Sequence, residues 1–250
     1  MSAVEVAVLL VAGVGQRLRP LTDDRPKALV DVGGETILAR AVRLLVASGV
    51  RELVVATGYR EDAVRGALAG CPVPVRYCPN PAYDRTQNSV SLLLCREAVG
   101  SRAFYKLDGD VLFDPRVLDR LRAAGGPARL VAAVERRDDL GDEEMKVLVD
   151  GDRITAFGKH LDPRASFGES IGIELVGAEV APRLFAGLEA AGAAGETSLY
   201  YEDVYARMVE GGLDARAADV SDLAWTEIDT PDDLERARRL VASGRLDPAG

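Results

Sequence analysis

Apolar residues come in unbroken runs near the start of this chain and in a two-residue alternation further on, and the two patterns predict different elements. Val4 to Val11, interrupted only by Glu5, is rich in β-branched residues and ends abruptly in Ala12-Gly13-Val14-Gly15, as a buried parallel strand leading into a tight loop does. Thr36 can cap a helix in which Ile37, Leu38, Ala41, Leu44 and Leu45 share one face, with Gly49 ending it. Glu52 to Thr57 reads as a second strand, Gly58-Tyr59-Arg60 as a turn into a helix from Glu61 to Leu68, and Val73 to Tyr77 as a third strand. This alternation predicts an α/β fold built on a doubly wound, mostly parallel sheet, with right-handed crossovers and ligand at the carboxyl ends of the strands.

Asn80 to Asn88 reads as a polar loop that becomes a helix near Ser89. Ala103 to Asp108 is a strand, followed by a helix from Pro115 to Ala123 and a strand from Ala128 to Val134. Residues 144–159 alternate by two around Asp150-Gly151, the pattern of a β-hairpin, and Ser170 to Leu175 supplies a further strand. Helices follow over 181–190 and 198–209, then a strand from Ala224 and a helix with Thr230 as N-cap and Pro231 in its first turn. Asp247 to Gly250 reads as a frayed end.

With 250 residues, 48% of them hydrophobic and 28% charged, the chain can fill the core of one domain, or of one domain with a small lobe. A net charge of −9 without long like-charge blocks argues against nucleic acid as a partner, so any basic site must be local. Cys71, Cys78 and Cys95 are odd in number and lack C-x-x-C spacing, which indicates neither a disulfide framework nor a zinc site. His160 is the only histidine, which removes most His-dependent triads. No apolar run reaches ~18 residues and no basic, apolar and small-residue leader pattern opens the chain, so the expectation is a cytoplasmic protein without a membrane span.

The candidate chemistry gathers where strands end. Val11, Ala12, Gly13 and Gly15 are small enough for backbone N–H groups to approach a phosphate, and Arg17 and Lys27 can neutralise its charge. No Lys-Ser or Lys-Thr follows Gly15, which rejects a P-loop, and Leu18 stands where the third glycine of a dinucleotide fingerprint belongs. The alternative is a glycine turn with solvated basic residues. Asp108-Gly109-Asp110 puts carboxylates at the sheet's carboxyl edge, where Mg²⁺ would bridge protein and triphosphate oxygens; the alternative there is a plain turn.

The string A-G-x-G-x-R-L-x-P-L-T over residues 12–22, followed by Pro26-Lys27-Ala28-Leu29, resembles the nucleotidyltransferases that join a nucleoside triphosphate to a phosphorylated sugar or alcohol and release pyrophosphate. The resemblance covers residues 4–243. It implies a Rossmann-like, GT-A-like fold with a nucleotide-binding part over about 1–135, a small β-rich acceptor lobe over about 140–222 and a closing strand and helix over about 223–243. It also implies catalytic roles for Arg17 and Lys27, Mg²⁺ on Asp110 and on Asp229 of Glu227-Ile228-Asp229-Thr230, and nucleotide contacts at Gln87, Asn88, Ser89 and Asp108. The Q-x-x-P-x-G-T-A stretch of the sugar-1-phosphate enzymes is absent, and Asn88-Ser89-Val90-Ser91-Leu92 instead looks like the N-x-x-S-L of choline-phosphate and inositol-phosphate cytidylyltransferases. The expected reaction is therefore CMP transfer from CTP to a small phosphorylated or phosphonylated alcohol: phosphocholine, 2-aminoethylphosphonate or inositol phosphate.

For the acceptor, Lys146 and Lys159 are candidate phosphate partners and Glu169 a partner for a hydroxyl or ammonium group. Tyr200, Tyr201 and Glu202 can form an aromatic, anionic wall for an ammonium, or simply a helix start with acids well placed. A polyol phosphate would instead need neutral partners such as Ser170, Thr197, Ser198 and His160. Two further readings stay open: a sugar-1-phosphate nucleotidyltransferase using UTP, GTP or dTTP, and a non-catalytic nucleotide-binding module on the same fold. Association into a homodimer is also open.

Overall fold

The computed structural model describes residues 4–247. The expected opening alternation is present as β1 (Val6–Leu10), α1 (Ile37–Ala47), β2 (Glu52–Thr57), α2 (Glu61–Ala67) and β3 (Val75–Pro79). Then come α3 (Asn88–Leu93), α4 (Arg96–Val99), β4 (Phe104–Asp108), β5 (Val111–Phe113), α5 (Arg116–Ala124) and β6 (Arg129–Arg136). The remainder comprises β7 (Lys146–Asp150), β8 (Arg153–Gly158), β9 (Gly168–Val176), α6 (Ala181–Ala193), α7 (Tyr201–Glu210), β10 (Asp214–Asp219), β11 (Trp225–Glu227) and α8 (Pro231–Ala242).

A single nine-stranded sheet runs in the order β3-β2-β1-β4-β9-β6-β10-β8-β7. Pairings β1–β2, β2–β3, β1–β4 and β6–β10 are parallel, and β9 lies antiparallel between β4 and β6. Hence β3, β2, β1, β4, β6, β10 and β7 share one direction, against β9 and β8. The interior strand β1 is buried on both faces, as its unbroken apolar run predicts. Ala7 and Leu9 face a core shared with Leu38, Leu45 and Val64 of α1 and α2 and Val117 and Leu121 of α5, while Val6, Val8 and Leu10 face Leu92, Leu184, Leu188 and Val204 of α3, α6 and α7. Helices therefore cover both sides of the sheet.

Local chemistry explains the boundaries. Thr36 Oγ1 accepts from Ala39 N at 3.1 Å, and Thr230 and Asp233 cap α8 reciprocally. Helix α7 begins at Tyr201 rather than at Ser198, because the Asp203 carboxylate accepts from Tyr200 N at 2.8 Å and sets the first turn there. The hairpin expected in a lobe of its own continues the main sheet: Arg153 pairs with Arg216 of β10, and Lys146 and Val147 pair with Glu169 and Gly168 of β9. Asp247 is not frayed, since it takes two hydrogen bonds from the buried Arg40; the rest of that expectation, residues 248–250, lies outside the described residues.

Two short strands stand apart from the main sheet. The ribbon β5–β11 pairs Val111 with Glu227 and Phe113 with Trp225, and Ile228 N donates to Asp110 O at 3.0 Å. A third cluster, of Leu18, Val30, Val32, Ile37, Leu112, Ile228, Leu234 and Ala237, locks this ribbon and α8 against the loop that follows β1. Burying Leu18 there contributes about 2 kcal/mol.

Candidate active site

The loop after β1 is held from several sides. Val11 N donates to Ala56 O, Tyr59 N to Ala12 O and Gly109 N to Leu10 O, each at 3.0 Å, while Thr22 Oγ1 donates to Gly15 O at 2.8 Å. Gly15 has φ 70°, and a Cβ there would lie 2.7 Å from Lys27 Cβ; glycine gives the left-handed turn and lets the Lys27 stem pass. Gly109 has a different reason, because a Cβ on it would sit 2.6 Å from Leu10 O. The middle residue of Asp-Gly-Asp must be small for β4 to pass close to β1.

The β5–β11 ribbon closes the distance in sequence between the two aspartates. Lys27 Nζ lies 2.6 Å from Asp110 Oδ2 and 2.5 Å from Asp229 Oδ1, and Arg17 reaches Asp229 Oδ2 at 2.5 Å. Glu227 joins them: ligand oxygens of Asp110, Glu227 and Asp229 lie within 4.8 Å of one another. Burial lowers the proton affinity of Lys27, but the two aspartates outweigh it and hold the ammonium above the ordinary lysine value. Glu227 is itself exposed at the cleft, and crowding by the surrounding protein, then Asp110 and Asp229 beside it, raise its carboxyl above the ordinary value.

These groups line one cleft of about 400 Å³ at the carboxyl ends of β1 and β4. It takes in Val11, Ala12, Gly13, Arg17, Lys27, Gln87, Asn88, Asp108, Asp110, Lys159, Glu169, Glu202 and Asp229 of the residues expected from sequence, together with Tyr200 and Trp225. Of the others, Ser170 also lines it, Gly15, Ser89, Lys146 and Tyr201 do not, and Thr197, Ser198 and His160 are exposed away from it. Gly15 shapes the loop, and the buried Ser89 donates to Leu199 O at 2.6 Å. Lys146 is 1% exposed and does not line the cleft, and two of its three N–H groups donate to Lys159 O at 2.6 Å and Glu144 O at 3.3 Å. Tyr201 is fully buried and donates to Asp108 Oδ2 at 2.7 Å, so it positions that carboxylate and presents no aromatic face to the cleft. Asn88 Oδ1 accepts from Tyr201 N at 3.0 Å, tying the two cleft walls together.

Beneath Asp108 lies a buried ionic network. Lys106 Nζ sits 2.8 Å from Glu174, 3.2 Å from Asp108 and 3.6 Å above the Tyr201 ring. One buried ammonium thus faces Asp108, Glu174 and, somewhat further off, Glu202. Burial pushes Glu174 up to about 7 and Glu202 up to about 8; Lys106 opposes both shifts and the neighbouring carboxylates add to them.

Residues 7–202 match the family described as MobA-like NTP transferase domain. The chain belongs to this family. Within it, a bifunctional IPC transferase and DIPP synthase from Rubrobacter xylanophilus is 34% identical over 97% of this chain and 54% of its own length. A CMP-5′-(3-aminopropyl)phosphonate synthase from Streptomyces rubellomurinus is 34% identical over 92% of this chain and 38% of its own length. The chain therefore spans about half, or less, of these curated relatives. Among solved structures, the inositol-1-phosphate CTP transferase from T. maritima superposes with a TM-score of 0.82 at 27% identity, over 100% of this chain and 99% of that one.

Of the residues gathered in the cleft, sequence reasoning passed over Glu227, although the two-residue period of a strand puts it on the same side as Asp229. It also passed over Lys106, a charged residue inside the otherwise apolar Phe104-Tyr105-Lys106-Leu107 run. Nothing local marks Glu174 as its partner, because that pairing depends on β9 lying next to β4.

Proposed function

We propose that this protein is a Mg²⁺-dependent cytidylyltransferase that moves CMP from CTP to a small phosphorylated or phosphonylated alcohol in the cytoplasm. The observation that carries the reading is the convergence of Lys27 and Arg17 with Asp110 and Asp229 beside the Ala12-Gly13 loop. The choice of CTP is supported by Asn88-Ser89-Val90-Ser91-Leu92 and by relatives named for CMP or CTP. The cytoplasmic setting is supported by three free thiols and, among the described residues, by the lack of any helix long and apolar enough to cross a membrane.

In this reaction an anionic oxygen of the acceptor forms a bond to the α-phosphorus of CTP as the bond to the α,β-bridging oxygen breaks, and pyrophosphate leaves. The nucleophile already carries its charge, so no general base is needed; alignment and charge neutralisation supply the acceleration. Arg17 and Lys27 neutralise the β- and γ-phosphates and the departing pyrophosphate. The backbone of Val11 to Gly13 cradles the phosphates, and Gln87 and Asn88 border the base. The carboxylates of Asp110, Glu227 and Asp229 fit a hard divalent cation, and Asp110 Oδ1 is buried without a hydrogen-bond partner. These three residues would hold Mg²⁺, which supplies neutralisation of triphosphate charge.

The test is pyrophosphate release with Mg²⁺ across CTP, UTP, GTP and dTTP, each paired with phosphocholine, 2-aminoethylphosphonate, inositol 1-phosphate and glucose 1-phosphate. CTP with one of the first three should give the highest kcat/KM. Preference for glucose 1-phosphate or for another nucleotide would overturn the cytidylyltransferase reading. Binding of CTP without pyrophosphate from any pair would make the protein a nucleotide-binding module.

A further inference from the structure

The carboxylates lining the cleft are Asp108, Asp110, Glu143, Glu169, Glu202, Glu227 and Asp229, against Arg17, Lys27 and Lys159. A cleft with this excess of negative charge repels a phosphorylated acceptor unless something offsets it. Most of the acids already have partners: Asp110 and Asp229 have Lys27, Asp108 has Lys106, Glu169 has Arg137 at 2.8 Å, and Glu143 has Lys159 at 3.5 Å. Among the described residues, Glu227 and Glu202 remain without an ion pair, and Glu227 belongs to the metal-type cluster. Glu202 therefore stands out. It is 6% exposed, its Oε2 has no hydrogen-bond partner, and it lines the cleft at the N-terminal turn of α7.

Resting on the cytidylyltransferase reading, we propose that Glu202 is the counter-ion of an N–H-bearing ammonium group on the acceptor, so that the substrate class is an aminoalkyl phosphonate or aminoalkyl phosphate. A buried carboxylate oxygen without a partner is costly, and an incoming ammonium supplies both the missing hydrogen bond and the missing positive charge. A quaternary ammonium supplies the charge but has no hydrogen to donate. It would rely on aromatic faces, and here Tyr201 is turned into the core while Lys159 Nζ already lies 4.8 Å from the Tyr200 ring centroid. A polyol acceptor finds few free neutral partners: of Ser170, Thr197, Ser198 and His160 only Ser170 reaches the cleft, and of the other hydroxyls lining it Thr86 donates to Ala82 O and both Thr86 and Ser91 accept from Asn80. Lys159, at the same end of the cleft, is the cation for the acceptor's phosphoryl group.

The experiment compares kcat/KM with CTP for 2-aminoethylphosphonate and phosphoethanolamine against their uncharged isosteres, n-propylphosphonate and n-propyl phosphate, with phosphocholine and inositol 1-phosphate alongside, in wild type and E202Q. Measurement at pH 8.5 keeps the phosphate esters doubly ionised, their second pKa lying near ~6. Wild type should favour the primary ammonium over its isostere by roughly 10- to 100-fold, the range for a hydrogen bond to a charged group, and E202Q should collapse that ratio. CTP affinity of E202Q reports that the variant is folded; should it not fold, the wild-type ratio decides alone. Equal rates for ammonium and isostere, an E202Q ratio that stays at the wild-type value, or a preference for phosphocholine or inositol 1-phosphate would overturn this assignment while leaving cytidylyl transfer intact. Absence of pyrophosphate with every acceptor would remove both.

Discussion

Lys27 lies 2.5 Å from Asp229 and 2.6 Å from Asp110, so its ammonium occupies the space between two of the three carboxylates suited to a divalent cation. A triphosphate competes for the same ammonium, and the acids gain a metal as they lose Lys27. Nucleotide and metal binding are therefore coupled through one side chain. Substituting Lys27→Met removes their shared counter-ion, leaving Asp110 without an ion pair and Asp229 with Arg17 alone. Mn²⁺ titration followed by electron paramagnetic resonance without nucleotide should show about 10-fold or tighter binding than wild type, an effect of the size expected when a partly buried pair loses one member. Unchanged Mn²⁺ affinity would show that Lys27 does not hold the acids in solution.

Arg17 is 67% exposed in its side chain, and among the described residues its one ion pair is with Asp229. Its removal should cost little stability, since exposed pairs contribute roughly 0–1 kcal/mol. Arg17→Ala and Asp110→Ala should nevertheless each lower kcat at least ~100-fold, the scale for losing one preorganised charge at a reacting phosphoryl group. Steady-state pyrophosphate release with a parallel melting curve checks this. Near-wild-type turnover in either folded variant takes that residue out of the site.

The fold was legible wherever a local pattern carries the signal. Periodicity in β1, α1 and β2 and the caps at Thr36 and Thr230 are properties of neighbouring residues, and they appear as expected. Arg17, Lys27, Asp110 and Asp229 were legible as well, because the residue strings around them are distinctive, and the structure brings these four together. What the sequence hid depends on strand order. Antiparallel β9 comes to lie between β4 and β6, which turns Glu174 toward Lys106 and puts Glu169, Ser170 and Gly172 on the cleft wall. Lys146 and Tyr201 looked available for the same reason: Lys146 reads as a charge on an exposed hairpin and Tyr201 stands beside the acids Glu202 and Asp203, but the partners that hold them, Lys159 O and Asp108, come from other strands or their ends.

Lys106 is fully buried and is the only ammonium shared by Asp108 and Glu174 among the described residues. Lys106→Met leaves those acids uncompensated and should destabilise the fold by about 3–5 kcal/mol, the usual cost of breaking a buried pair from one side. Urea denaturation at pH 8 measures this. The loss should be smaller at pH 6, where Glu174, already pushed up to about 7, takes a proton instead of standing as a bare anion. A loss that does not depend on pH would mean that packing rather than charge dominates at this position.

Glu202 makes the last prediction, on stability against pH. Its carboxyl is pushed up to about 8, first by burial and then by Asp108 and Glu174 against the opposing Lys106, from an ordinary value of 4.5. The groups packed around it also include Tyr201 and Tyr205, both held well above the ordinary tyrosine value and so neutral through this range. A carboxyl with a higher pKa in the folded state binds its proton more tightly there than in the unfolded chain. Folding is thus favoured by this group below pH 4.5, and that contribution is lost as pH rises through 4.5 and up to about 8, where it levels off. Glutamine at this position does not titrate, so E202Q should lose less stability than wild type between pH 5 and pH 9. The gap between their urea midpoints should widen in favour of E202Q across that window. Parallel curves would place the Glu202 carboxyl near 4.5 in the folded protein, ionised and solvated. A ligand with an ammonium group should act in the opposite sense on the wild type, stabilising it most above pH 8, where Glu202 carries its charge.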